Sequence, residues 1–180
     1  MNTLITILLA VAGLIALLLL IALFLKKDHY VKREIIINVP RQKAFDFLKF
    51  LKNQDKFNKH AMADTDRNKE FKGTDGTVGY IYAWSGDKNA GEGEKEIMNL
   101  IEGKRIEAEI RFVKPMVTSA YIIMEMESLS DNQTKVSWSN AGVLKYPVNM
   151  LIPMMEKHVV KDMDSSLLTL KNILENNHSI

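Results

Sequence analysis

Lys32–Leu51 reads KREIIINVPRQKAFDFLKFL, a strand and a helix joined at a proline. The β-branched run Ile35–Ile37 follows an alternating start, as in a strand buried on at least one face, so Lys32–Asn38 is predicted as the first strand. Pro40 allows a helix to start, and beyond it Ala44, Phe45, Leu48 and Leu51 fall on one face while Arg41, Lys43, Asp46 and Lys49 fall on the other. An amphipathic helix of about three turns follows from that spacing.

Downstream, Asn53–Asp66 is polar, carries Phe57, His60 and Met62 without a clear period, and is read as a short second helix and a loop. From Lys69 the texture changes to strands separated by turn residues. GTDGTVG (Gly73–Gly79) predicts a hairpin, YIYAWS (Tyr80–Ser85) a strand, GDKNAGEG (Gly86–Gly93) a turn, and Glu94–Leu100 the next strand. The clearest alternation follows: Ile106, Ala108, Ile110 and Phe112 point one way, and Arg105, Glu107, Glu109 and Arg111 the other. Lys114-Pro115 ends that strand, Thr118–Glu127 supplies another, and SDNQ (Ser130–Gln133) turns the chain into Thr134–Asn140. Pro153–Asn176 returns to helical period, with Met155, Val159, Met163, Leu167, Leu170 and Leu174 on one side. The order predicts an α+β chain: strand, one or two short helices, about six antiparallel strands in a meander, and a long C-terminal helix over the sheet.

Upstream, Leu4–Leu25 carries no charge, and only Thr6 and Gly13 interrupt its Leu, Ile, Ala, Val and Phe. At about 1.5 Å per residue it is long enough to cross a hydrocarbon core of roughly 30 Å. A cleaved secretory signal also begins with an apolar helix, but Met1-Asn2-Thr3 has no Lys or Arg, the run exceeds a signal's apolar region, and Phe24-Leu25-Lys26 offers no small-x-small cleavage pattern. A permanent single-pass anchor over residues 1–27 is expected, with residues 28–180 as the tethered domain. Lys26, Lys27, Lys32 and Arg33 crowd the C-terminal end of the span, so the domain is expected on the cytoplasmic side.

Composition bounds the rest. After the anchor about 155 of the 180 residues remain, enough for one domain with a sizeable core. The net charge of +2 is spread among mixed signs, which argues against a nucleic-acid partner. Without cysteine the chain can form neither a disulfide nor a thiolate metal site.

The segments IIINVPRQKAFDFLKFL (Ile35–Leu51) and GTDGTVGYIYAWSGDKNAGEGEKEI (Gly73–Ile97), with the long final helix, resemble the SRPBCC superfamily (START, birch-pollen-allergen-like and polyketide cyclase/dehydrase-like proteins), and most of all its membrane-tethered bacterial members. The resemblance covers roughly Tyr30–Asn176. It implies a helix-grip fold, in which a curved seven-stranded antiparallel sheet with two short helices wraps the C-terminal helix around a cavity for lipids, sterols, polyketides or other apolar molecules.

Such a cavity is lined from both elements, and the candidates are Tyr82, Trp84, Ile110, Phe112, Met124, Met126, Trp138, Met155, Val159 and Met163. Each also suits an ordinary core; ten methionines in the chain favour a pocket that adapts to its ligand. Motifs for chemistry are missing. Gly91-x-Gly93 lacks the third glycine and the strand-turn-helix context of a nucleotide loop, and no GxSxG is present. His29, His60, His158 and His178 show neither HExxH nor a pair four apart, so surface or capping roles are expected and no metal or cofactor is called. Glu156 with His158 and Asp162 with Asp164 read as solvated charges, and the sequons at Asn132 and Asn177 as chance matches. Catalysis would have to draw on His60, Glu125, Tyr80 or Tyr82 brought together in space. The expected function is a membrane-anchored, non-catalytic protein binding an apolar small molecule or lipid. The alternatives are a cyclase- or dehydratase-type enzyme and a scaffold for a protein partner.

Overall fold

The computed structural model describes residues 2–62, 68–86 and 91–176. The apolar run forms one unbroken helix, α1 (Thr3–Phe24), long and apolar enough to cross a membrane, with a mean hydropathy of 3.2. It is followed by β1 (Asp28–Ile37), α2 (Arg41–Leu48), a 3-10 helix (Leu51–Lys56) and one helical turn, α3 (Lys59–Met62). Then come β2 (Asn68–Lys72), β3 (Ile81–Ser85), β4 (Glu92–Ile101), β5 (Arg105–Lys114), β6 (Thr118–Ser130) and β7 (Gln133–Val143). A 3-10 turn (Val148–Leu151) leads into the long final helix, α4 (Ile152–Asn176).

The seven strands form one antiparallel sheet in the order β1-β7-β6-β5-β4-β3-β2, with β1 returning to pair with the last strand. Alternation decides its faces. Ile106, Ala108, Ile122, Met124, Val136 and Trp138 are buried on the inner face, against Met163, Leu167, Leu170 and Leu174 of α4. Glu94, Glu96 and Glu109 lie on the outer face, where all three pair with the Arg111 guanidinium at 2.5–2.8 Å. The helix-grip architecture expected from the sequence is what the chain adopts.

Local departures have local causes. The first strand begins at Asp28 rather than Lys32, because β7 runs on to Val143 and offers Asp28–Val31 partners. Asp28–Val31 is therefore part of the sheet. The first short helix has 8 residues, and the 3-10 helix after it is held by Asp75, whose carboxylate accepts from Leu51 and Lys52 N–H. That bond ties the β2–β3 hairpin to the helix start, a link between segments 24 residues apart that no local pattern shows. The part of the predicted loop at 63–66 and the tip of the predicted turn at 87–90 lie outside the described residues.

The joint between α1 and the domain is short and well bonded. Leu25–Lys27 is all that separates them, and the buried Asn149 side chain donates to the carbonyls of Ala22 at 2.7 Å and Leu25 at 3.1 Å. The last carbonyls of a helix have no partner within it, so Asn149 acts as a cap supplied from the far side of the chain. Lys27 C=O accepts from Leu144 N–H, and Lys26 pairs with Glu156 of α4 at 2.8 Å.

Candidate functional site

Strand register sorts the inner face into rows. Farthest from α1, Ile35, Val136 and Met126 lie side by side, covered by Ala44, Phe45 and Leu48 of α2 and by the C-terminal turns of α4. Nearest α1, the row runs Tyr82, Lys95, Ile110, Ala120, Gly142, His29, and beyond it Trp84, Gly93 and Phe112. Large side chains fill the far rows, and the near rows mix the small residues Gly93, Ala120 and Gly142 with aromatics, Ile110 and Lys95. Gly93 has a steric reason: a Cβ there would stand 2.7 Å from the Arg111 carbonyl and 2.8 Å from the Trp84 ring, which lies over it.

The ten candidate lining residues divide along this gradient. Met124, Met126, Trp138 and Met163 are buried in the main core, with Ile110 and Val159 half-buried against it. Tyr82 is buried in a smaller cluster with Leu51, Tyr80 and Ile97, and Trp84 packs on its edge. Phe112 meets Trp84 edge-on at 6.0 Å, and Met155 sits half-buried in the first turn of α4. The structure thus gathers Trp84, Ile110, Phe112, Met155 and Val159 as half-buried apolar groups toward the end nearest α1.

Polar groups cluster beside this end. Lys95, on the inner face and 5 % exposed, donates to Gln54 Oε1 at 2.6 Å, and no carboxylate among the described residues lies within 4 Å of it. Burial pushes its ammonium down to about 7, since a charge in a poorly polarisable interior is disfavoured. Asp55 accepts from Tyr82 Oη and from Lys69 Nζ, both at 2.7 Å. Tyr80 is pushed up to about 12, first by burial and then by the charges of Asp75 and Asp55; its hydroxyl and the Trp138 indole N–H have no hydrogen-bond partner among the described residues. The sequence places Lys95 in the predicted strand Glu94–Leu100 but singles it out no further, because it stands between Glu94 and Glu96 and only the register turns Gly93, Lys95 and Ile97 inward and the three glutamates outward.

The histidine and acidic readings need correction. His29 is buried and not on the surface: it lies over Gly142, where a Cβ would come within 2.6 Å of its ring, and its Nε2 is 3.0 Å from Asn140 Oδ1. Asp162 is buried and not solvated, because it faces α3 and takes Lys59 Nζ at 2.6 Å, His60 Nε2 at 3.0 Å and His158 Nε2 at 3.4 Å. Burial pushes its carboxyl up, but the Lys59 bond with the charges of His60, Lys59 and His158 outweighs this and holds it below the usual range. Glu125 is on the outer face beside Arg105 and cannot meet Tyr80 or Tyr82. His178 lies outside the described residues. Among them no group of three or more His, Asp or Glu could hold a metal ion.

A hollow of about 870 Å³, mostly apolar, opens at the α1 end of the sheet between the β5–β6 and β7–α4 connections, largely over the outer face, where Tyr30, Ala141, Tyr121 and Glu109 form one row. Tyr30, Phe112, Met116, Tyr121, Val143 and Tyr146 are among its walls. Two other hollows, of about 270 and 540 Å³, also lie on the outer face, and the second is lined largely by charged side chains.

No protein-family model matches the sequence, and no curated protein matches it. Solved structures do match the fold. The allergen Ara h 8.0201 superposes with a TM-score of 0.62 at 14% identity, over 83% of this chain and 99% of its own. Norcoclaurine synthase from Thalictrum flavum, in complex with dopamine and hydroxybenzaldehyde, gives 0.64 at 9% identity, over 85% and 90%. A structural-genomics protein from Mesorhizobium loti gives 0.63 at 13% identity, over 84% and 100%. At such identities the likeness is one of fold.

Proposed function

We propose that this chain, which has the helix-grip fold of the birch-pollen-allergen-like SRPBCC proteins, is a membrane-anchored binding protein for an apolar small molecule or lipid, held at the end of the domain nearest α1. The observation that supports it is the packing gradient on one continuous inner face. At the far end Ile37, Phe45, Leu48, Val136 and Leu170 are all 0% exposed, with Ile35 half-buried beside them; at the near end Tyr82, Lys95, Ala120 and His29 are buried, but Trp84, Ile110, Phe112, Met155 and Val159 are only half-buried, beside Gly93 and Gly142. Apolar side chains in such numbers, with a few polar groups to orient a ligand, are what small-molecule sites are made of. The anchor places that end against the bilayer, where an apolar ligand is concentrated, and its flanking lysines put the domain on the cytoplasmic side.

The test is native mass spectrometry of the full chain released from mild detergent. A reproducible adduct of one apolar class supports the reading, and a consistently empty protein overturns it. An enzymatic reading, of the cyclase or dehydratase type, draws on one observation, the buried Lys95 amine beside the Asp55–Tyr82 pair. It requires that Lys95→Met abolish turnover of a bound carbonyl compound while leaving its binding intact.

A further inference from the structure

Register places three connections at the α1 end of the sheet. β1 begins there, three residues after α1; Asp28 pairs with Val143 at the end of β7; and Phe112 pairs with Thr118 where β5 passes into β6. The start of α4 is at this end too, through Lys26–Glu156 and the Asn149 cap. Much of what these segments expose is apolar. Val117 is 83% exposed and Met154 69%, with Met116, Tyr146 and Leu151 exposed beside them. Two turns at the opposite end, Glu102–Lys104 and Asp131–Asn132, are polar or charged.

Contiguous apolar groups exposed at one end of a soluble fold mark an interaction surface. Their occupant is indicated by what lies next to them. Phe24, at the end of the apolar helix, is 84% exposed at the same place, so the apolar surface of the domain continues that of the span. Lys27, Lys145 and Lys157 stand around the patch, and Lys114, though paired with Glu92, keeps a largely exposed side chain. Lysines around an apolar centre, with a tyrosine among them, suit the boundary between acyl chains and anionic head groups.

We propose that the β5–β6 connection, the β7–α4 connection and the first turn of α4 form a bilayer-contact surface, with Met116, Val117 and Met154 dipping into the head-group boundary. It rests on the reading of α1 as a membrane span. The domain is then held against the bilayer at two points, the Asn149-capped joint and this surface, and does not swing on a tether. The hollow of about 870 Å³, which Met116, Val117 and Tyr146 help to wall, opens against the lipid.

The chain has no cysteine, so a single introduced one labels uniquely. The full chain, carrying Val117→Cys, Asp131→Cys or Val11→Cys labelled with an environment-sensitive nitrobenzoxadiazole, is placed in nanodiscs of phosphatidylcholine and phosphatidylserine, with or without doxyl-labelled lipid. The expected result is a blue-shifted label at Val117 that loses emission about twofold to a shallow doxyl group, no loss at Asp131, and loss to a deep doxyl group at Val11. A Val117 label that behaves like the Asp131 label while Val11 is quenched overturns the contact surface and leaves the anchor standing. An unquenched label at Val11 overturns the anchor, and the contact surface with it.

Discussion

The two ends of the gripped interior are built by the same strands and the same helix, yet they pack differently. At the far end α2 closes over the sheet, and Ile37, Phe45, Leu48, Val136 and Leu170 have no exposed surface. At the near end the inner face carries Gly93, Ala120 and Gly142 among aromatics, Met155 stands outside the packed cluster, and Lys95 is buried with no carboxylate within 4 Å among the described residues. The far end carries the tightest packing, and the near end, which carries less of it, is the one proposed to serve a ligand.

The largest expected effect breaks the far end. Leu170→Ala should cost about 2–5 kcal/mol in urea unfolding of the detergent-solubilised chain, since a fully enclosed side chain leaves a cavity. Ile110→Ala, half-buried at the near end, should cost about half as much or less, because solvent or ligand already shares its surroundings. Equal costs would erase the distinction.

Lys95 sharpens the comparison through pH. Its folded-state value is lowered to about 7, against about 10.4 for an unfolded lysine, so between those values the unfolded chain binds the extra proton. Stability therefore rises with pH across that window, by at most about 1.4 kcal/mol per unit, and the full penalty of the buried ammonium is present below it. Lys95→Met should flatten that part of the profile; a slope that survives the substitution would place its origin elsewhere. A smaller effect is expected at the joint. Asn149→Ala removes the cap on α1 and should cost about 1 kcal/mol, seen as faster amide exchange at Leu25–Lys27 with the sheet unchanged.

How much of this the sequence shows depends on how local the signal is. The alternation of Ile106–Phe112 and the helical period from Met155 to Leu174 lie within single elements, and both the sheet and the final helix were legible from them. Asn149 was not, because it caps a helix more than a hundred residues earlier in the chain. His29 and Asp162 were read as surface groups because nothing nearby in sequence shows that Asn140 lies against the one and Lys59 against the other. Lys95 was hidden by the glutamates on either side of it, which only the register turns outward. The packing gradient itself is a property of rows across strands, which a linear reading does not see.

The central claim, that the near end receives an apolar molecule, is tested most directly with the two tryptophans as reporters. A brominated alkyl ligand, which quenches indole only at contact, is titrated into the full chain in nanodiscs, using Trp138→Phe to watch Trp84 and Trp84→Phe to watch Trp138. Saturable quenching of Trp84, weaker quenching of Trp138, and loss of both in Ala120→Phe, which fills the near row, is the predicted result. Quenching that never saturates, or that Ala120→Phe leaves intact, would contradict it.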